Sequence, residues 1–251
     1  MKRRIIMILA LLLIVGLPAC SGTGAPGEST VTLTAKIIYK DGSSFLAANM
    51  AEDANSADIY RINADNAEVT DPSGNKAESS ALKAGMLVDI LYNGTVQESF
   101  PMGLGGIKSI RIREQGDDIA GLYISVIHDL YEVDPGLNDK IQRLAFNLSG
   151  VSNLTATERT ALVYQLGNLY GLETLQGTFD ELCEQGYIDK NNLYFETGLL
   201  FTIKDSAIKD GKFTFDAEKW RGGTGAYFYN NCTARKADGV WTYTVGSEAI
   251  S

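Results

Sequence analysis

His128 is the only histidine in 251 residues, and this single imidazole bounds the chemistry open to the chain. Serine and cysteine hydrolases need a base, usually histidine, to take the nucleophile's proton. No G-x-S-x-G elbow presents a serine here. His128 stands beside Asp129, off the apolar stripe of Val126, Ile127 and Leu130, so it reads as solvated. Two S-x-x-K spacings occur, Ser73 with Lys76 and Ser206 with Lys209, but no K-T-G accompanies them. Ser73 falls in a turn and Ser206 after a strand, which leaves both as chance matches. His128 and Glu132 are four apart, with Asp129, Asp134 and Asp139 nearby. That spacing could seed a carboxylate-rich metal site, yet no D-x-D-x-D-G loop is present and a solvated helix end is the simpler reading. Neither a metal nor another cofactor is expected. Gly222-Gly223-Thr224-Gly225 lacks the lysine and helix of a phosphate loop and reads as a tight turn.

Aromatic residues offer a better clue. Trp220, Tyr227, Phe228, Tyr229, Trp241 and Tyr243 gather near the end of the chain. Consecutive rings at 227–229 must fall on both faces of a sheet. Trp220, Tyr227, Tyr229, Trp241 and Tyr243 are therefore the candidate ligand surface, able to stack a sugar, a peptide or an apolar ligand. The competing reading is a packed sheet core with ordinary exposed tyrosines. Paired carboxylates for glycosidic cleavage meet only in the fold, and 31 acidic residues single out no pair. Of the three cysteines, Cys183 and Cys232 could pair in an exported protein. Burial as two small hydrophobes is preferred, since their spacing matches neither a redox nor a zinc motif.

The chain opens with Lys2, Arg3 and Arg4, then an apolar run over 5–15. Such a run is too short to span about 30 Å of hydrocarbon, which takes about 20 residues. It ends in Leu17-Pro18-Ala19-Cys20, which resembles a bacterial lipobox, with Pro18 departing from the commonest pattern. The resemblance implies that residues 1–19 are a cleaved signal peptide and that Cys20 carries diacylglycerol. It also implies a lipid anchor on the extracytoplasmic face of the cell membrane. Two acyl chains supply firm anchoring, at about 0.8 kcal/mol per buried CH₂. Residues 20–30 are small and polar, a flexible tether. The formal charge of −9 becomes more negative when the leader's three cations are lost. That acidity opposes nucleic-acid binding and keeps the protein off an anionic bilayer surface.

Residues 31–115 alternate as strands do. Val31, Leu33, Ala35 and Ile37 face one way, Ile110 and Ile112 do the same later, and Asp71-Pro72-Ser73-Gly74 marks a turn. Asn93-Gly94 is expected to close a two-residue hairpin whose strand returns over 96–100. The stretch Leu82-Lys83-Ala84-Gly85-Met86-Leu87-Val88-Asp89-Ile90-Leu91-Tyr92-Asn93-Gly94, with Glu98-Ser99-Phe100-Pro101 after it, resembles a small OB-like β-barrel module of secreted lipoproteins from Gram-positive bacteria. The resemblance implies a fold and a location, and no activity.

After the polar junction at 115–118 the period changes. Ile119, Leu122, Tyr123, Val126, Ile127, Leu130 and Tyr131 recur at helical spacing, with Asp117 or Asp118 as N-cap. A short strand is expected over 144–148. Thr155-x-x-Glu158 and Thr178-x-x-Glu181 are capping boxes opening two more helices. Leu162, Val163, Leu166, Leu169 and Tyr170 fill one face of the first of them. Strand-like runs follow at 193–195, 199–203, 213–215, 226–229 and 241–245. Gly177-Thr178-Phe179-Asp180-Glu181-Leu182 and Phe213-Thr214-Phe215-Asp216-Ala217-Glu218-Lys219-Trp220 resemble domains of exported Gram-positive proteins, a likeness that carries no activity with it. The expected architecture is α+β: a small all-β, OB-like barrel over 31–115, then an α+β domain over 117–251 with helices packed on an antiparallel sheet.

These features favour a non-catalytic, membrane-anchored extracytoplasmic lipoprotein that binds a ligand or a protein partner. An envelope hydrolase with converging carboxylates in the second domain is the alternative. An accessory subunit of a membrane complex is a third reading.

Overall fold

Strand alternation builds the first sheet. The computed structural model describes residues 29–251, so the leader, Cys20 and most of the tether lie outside the described residues. Nine strands come first: β1 (Val31–Asp41), β2 (Ser44–Asn49), β3 (Ile59–Asn63), β4 (Glu68–Thr70), β5 (Lys76–Ala77), β6 (Leu87–Tyr92), β7 (Val96–Gln97), β8 (Met102–Leu104) and β9 (Ser109–Glu114). They lie in the order β5-β4-β9-β6-β1-β2-β3-β8-β7. One face, carrying Ile37, Phe45, Ile62, Val88, Ile90 and Ile110, makes a closed apolar cluster roofed by Leu82 and Met86.

The expected OB-like barrel is not formed. The nine strands make an open mixed sheet whose edges, β5 and β7, are not joined. The hairpin expected at Asn93-Gly94 is also absent. A type I′ turn needs positive φ at both central residues, and only Gly94 has it (φ 85°). Asn93 Oδ1 instead accepts from the Thr95 backbone N–H at 3.0 Å, an Asx turn that carries the chain out of register with β6. The free side of β6 is taken by β9, and β7 pairs with β8. Two parallel pairings, β3 with β8 and β4 with β9, complete the mixed character.

The second half carries α1 (Ile119–Glu132), β10 (Arg143–Gly150), α2 (Ala156–Tyr170), β11 (Glu173–Gln176), α3 (Phe179–Glu184), β12 (Gly198–Asp205), β13 (Lys212–Gly222), β14 (Gly225–Ala237), β15 (Val240–Thr244) and β16 (Ser247–Ile250). The helix starts follow local chemistry. Asp118 caps α1 through the Gly121 N–H, and both capping boxes are complete. Gly171, at φ 64°, ends α2 in the left-handed conformation that spares glycine a Cβ clash.

Here too the expectation needs correction, because the sheet is mixed. Its order is β11-β10-β12-β13-β14-β15, with β16 also on β14, and β10 runs parallel to both β11 and β12. Helix α2 is the crossover between β10 and β11, which only a parallel pair requires. The helices do not share one face. Leu144, Phe146, Leu199 and Phe201 face α1 and α2, while Ala145 and Leu200 face Leu182 of α3 on the opposite side. The run at 193–195 forms only isolated bridges, with Leu193 at φ 48°. Strand accounts for 45% and helix for 19%, so the protein is mostly β with two mixed sheets and not an α+β fold of the expected kind.

The outer face of the first sheet is apolar as well. Ile38, Leu46, Ala48 and Ile59 join the cluster built by α1, α2 and the second sheet. Helix α2 packs against β1, β2 and β3 as well as β10 and β11, and α1 touches β1, β13 and β15. The two helices therefore form a middle layer between the sheets. This explains why α2 buries Thr157, Glu158, Ala161 and Gln165 beside Leu162 and Leu166: a helix covered on two sides has no narrow apolar stripe.

Candidate functional site

The last turns of α2 run past the edge of this shared core and leave a groove against the first sheet. Strand β1 supplies one wall. Its alternation breaks at Ile38, where an extra residue shifts the register against β2 between Ile37 and Tyr39. Such a bulge re-aims the side chains beyond it, and Tyr39 emerges 40% exposed. The groove has a volume of about 390 Å³ and is lined by Tyr39, Asp41, Ser44, Arg61 and, from α2, Tyr164, Gln165, Asn168 and Leu169. Leu169, expected on the core face of its helix, is 51% exposed here.

Tyr164 is the centre of the wall. Its hydroxyl accepts from Arg61 Nη2 at 2.6 Å, and the guanidinium carbon lies 5.8 Å from the ring centroid. Phe100, 58% exposed, meets the same ring edge-on at 5.6 Å. The bond and the ring contact fix Tyr164 from within the chain. Gln165 behaves differently. It is only 8% exposed and lines the groove, and its side chain makes no hydrogen bond within the described residues. Its amide atoms are not among the buried side-chain atoms sealed away without a partner, so they stay reachable from the groove side. The side chains of Asp41, Ser44 and Asn168 likewise have no hydrogen-bond partner among the described residues. Asp41 and Arg61 are the only charges in the lining, and they cancel.

Four of the five aromatic residues favoured from the sequence share one side of the second sheet, and Trp220 lies apart from them. Trp220 lies on the α3 face of the sheet, edge-on to Phe179 at 5.3 Å. Tyr229 and Trp241 are buried on the other face, with Tyr227 and Tyr243 packed beside them. Trp241 sits 5.2 Å from Phe213 and donates Nε1–H to Asp117 at 3.0 Å. The hydroxyls of Tyr243 and Tyr227 donate to Asp129 and Glu248. Burial, helped by Glu248 and Asp129, pushes the Tyr229 phenol up to about 12. Three of the five polar ends, those of Trp241, Tyr243 and Tyr227, are thus taken by carboxylates of the chain itself.

Cys183 on α3 and Cys232 on β14 are both free thiols, in separate clusters on opposite sides of the sheet. Burial holds Cys232 up at about 11, against a hydrogen bond from Gly246. His128 is exposed and lies 3.2 Å from the Tyr170 hydroxyl. Among the described residues no three His, Cys, Asp or Glu side chains are grouped to hold a metal ion.

Sequence reasoning also passed over Lys219. Its side chain is fully buried, and Nζ donates to the carbonyls of Tyr131 at 3.0 Å, Val133 at 2.7 Å and Asp134 at 3.2 Å. These carbonyls are at and just past the C-terminus of α1, where a cation meets the negative end of the helix dipole. Burial pushes the ammonium down to about 8, opposed by the charges of Asp134 and Glu132. The role is to close α1. For the groove, the one signal in the sequence is Gln165 itself, a polar residue between Leu162 and Leu166 on a buried helix. No protein family matches the chain, and no curated protein is significantly similar to it.

Proposed function

We propose that this protein is a non-catalytic binding protein, carried on the extracytoplasmic face of the cell membrane by lipid on Cys20. In this reading its ligand lies in the groove between β1–β3 and α2. Gln165 is the observation that carries it. Its amide is held in place by the burial of the rest of the residue, opens onto the groove and is taken by no other side chain. A ligand that replaces water at both its N–H and its C=O gains about 0.5–1.5 kcal/mol at each, with an orientation the fold already sets. Exposed Tyr39, Phe100 and Leu169 around it add apolar area that association would cover. The membrane anchor rests on the sequence at 1–20 and its resemblance to a lipobox.

The test uses the full chain made in a bacterium that processes lipoproteins. Wild type is expected in the membrane fraction, and Cys20→Ser is expected to be released from it. Native mass spectrometry of the detergent-released protein should show a stoichiometric added mass, molecule or partner, that Tyr164→Ala loses. A Cys20→Ser protein that stays with the membrane overturns the anchor. Bound mass that is absent or indifferent to Tyr164 overturns the groove as the binding site.

A further inference from the structure

We infer that the groove takes a short, uncharged saccharide. This rests on the binding reading above and adds the chemical class of its ligand. Charge comes first. Asp41 and Arg61 balance one another in the lining, so a phosphate would face a carboxylate and an ammonium ligand would face a guanidinium. A neutral ligand meets neither penalty and can hydrogen-bond to both.

Backbone pairing leaves a second occupant to be tested. Strand β2 is paired on both edges, but β6 pairs with β1 only over Val31–Lys36, so Tyr39 and Asp41 have no strand on that side. An extended peptide added there is the competing ligand, and the side chains of the lining are what favour another class.

Those side chains match a sugar. Adjacent hydroxyls of a pyranose act as a donor and acceptor pair, and planar amide and carboxylate groups meet them with two atoms at once. Gln165, Asn168 and Asp41 are three such groups, all without a hydrogen-bond partner among the described residues. The C–H face of the same ring is apolar, and Tyr39, Tyr164 and Leu169 supply surface for it. A cavity of about 390 Å³ sits at the small end of the roughly 300–1,000 Å³ usual for ligand sites, which suits a short saccharide.

Saturation-transfer NMR on the full lipidated chain in detergent would test this, with cellobiose, maltose and N,N′-diacetylchitobiose as neutral probes. A digalacturonate and tetra-alanine serve as charged and peptide probes. Transfer to ring C–H protons of at least one neutral disaccharide is expected, with affinity roughly tenfold weaker in Gln165→Leu. Asn168→Ala, at an exposed position, should also weaken binding and guards against a folding defect in the first variant. If only digalacturonate or tetra-alanine binds in a Gln165-dependent way, the saccharide inference falls and the binding reading stands. If none of the probes binds there and native mass spectrometry finds no Tyr164-dependent mass, both fall.

Discussion

Lys36 on β1 reaches Glu158 on α2, with Nζ 2.7 Å from Oε1, and this ion pair ties the first sheet to the helix layer. The Glu158 side chain is nearly sealed, and its second oxygen accepts from the Thr155 N–H at 2.8 Å. One carboxylate thus starts α2 and joins it to a strand more than a hundred residues earlier. Removing the lysine alone leaves a buried, uncompensated charge. Lys36→Met should cost about 3–5 kcal/mol in urea unfolding. Adding Glu158→Gln, which keeps an acceptor for Thr155 and removes the charge, should restore most of that loss. Equal stability of the single and double variants would show that the pair is not coupled.

Lys219 gives a pH-dependent test. The folded protein gives up this proton near pH 8, whereas an unperturbed lysine holds it to 10.5. Between those values the unfolded chain binds more protons, so the site's contribution to stability rises with pH; below about 8 it is flat. Lys219→Met lacks this rise and leaves the Val133 carbonyl without its donor, while the Tyr131 carbonyl keeps Asn138 Nδ2 and that of Asp134 keeps the Leu137 N–H. It should be less stable than wild type by about 1–3 kcal/mol at neutral pH. The gap should widen between pH 8 and 10 in chemical denaturation followed by fluorescence. A constant gap across that range would assign the proton to another group.

Which features could be read from the sequence depended on the range over which each is determined. Asp118, Thr155 with Glu158, and Thr178 with Glu181 lie within one helical turn of the N–H groups they satisfy, and all three helices begin where these residues put them. Parallel pairing is decided elsewhere. Nothing near β4 announces β9, and one of the two parallel partners of β10, the polar Glu173-Thr174-Leu175-Gln176 edge, has no strand-like alternation of apolar residues. Asn93-Gly94 shows the reverse error, where a strong local turn signal yielded to an Asx turn once β9 had occupied β6. The groove was the least legible feature. Arg61 and Tyr164 meet across 103 residues through a sheet-to-helix contact, which no spacing rule contains.

Asp205, at the end of β12, makes the final prediction. Its Oδ1 accepts from the Ser152 N–H at 2.6 Å and Ser152 Oγ at 2.7 Å. Its Oδ2 accepts from Asn153 Nδ2 at 2.8 Å and the Tyr123 hydroxyl at 2.5 Å. The carboxylate thereby fixes the loop between β10 and α2 against α1, and burial together with Asp205 drives the Tyr123 phenol well above its ordinary range. Tyr123→Phe removes one donor and leaves Asp205 its bonds to Ser152 and Asn153, so a loss of about 1.5–3 kcal/mol is expected. Asp205→Asn turns one acceptor into a donor facing donors, and the loss should be roughly double. Amide hydrogen exchange distinguishes the two: Ser152 and Asn153 should exchange much faster in Asp205→Asn and nearly as in wild type in Tyr123→Phe. Equal protection of these amides in both variants would mean that the loop is held by its apolar neighbours Val151 and Leu154 instead of by Asp205.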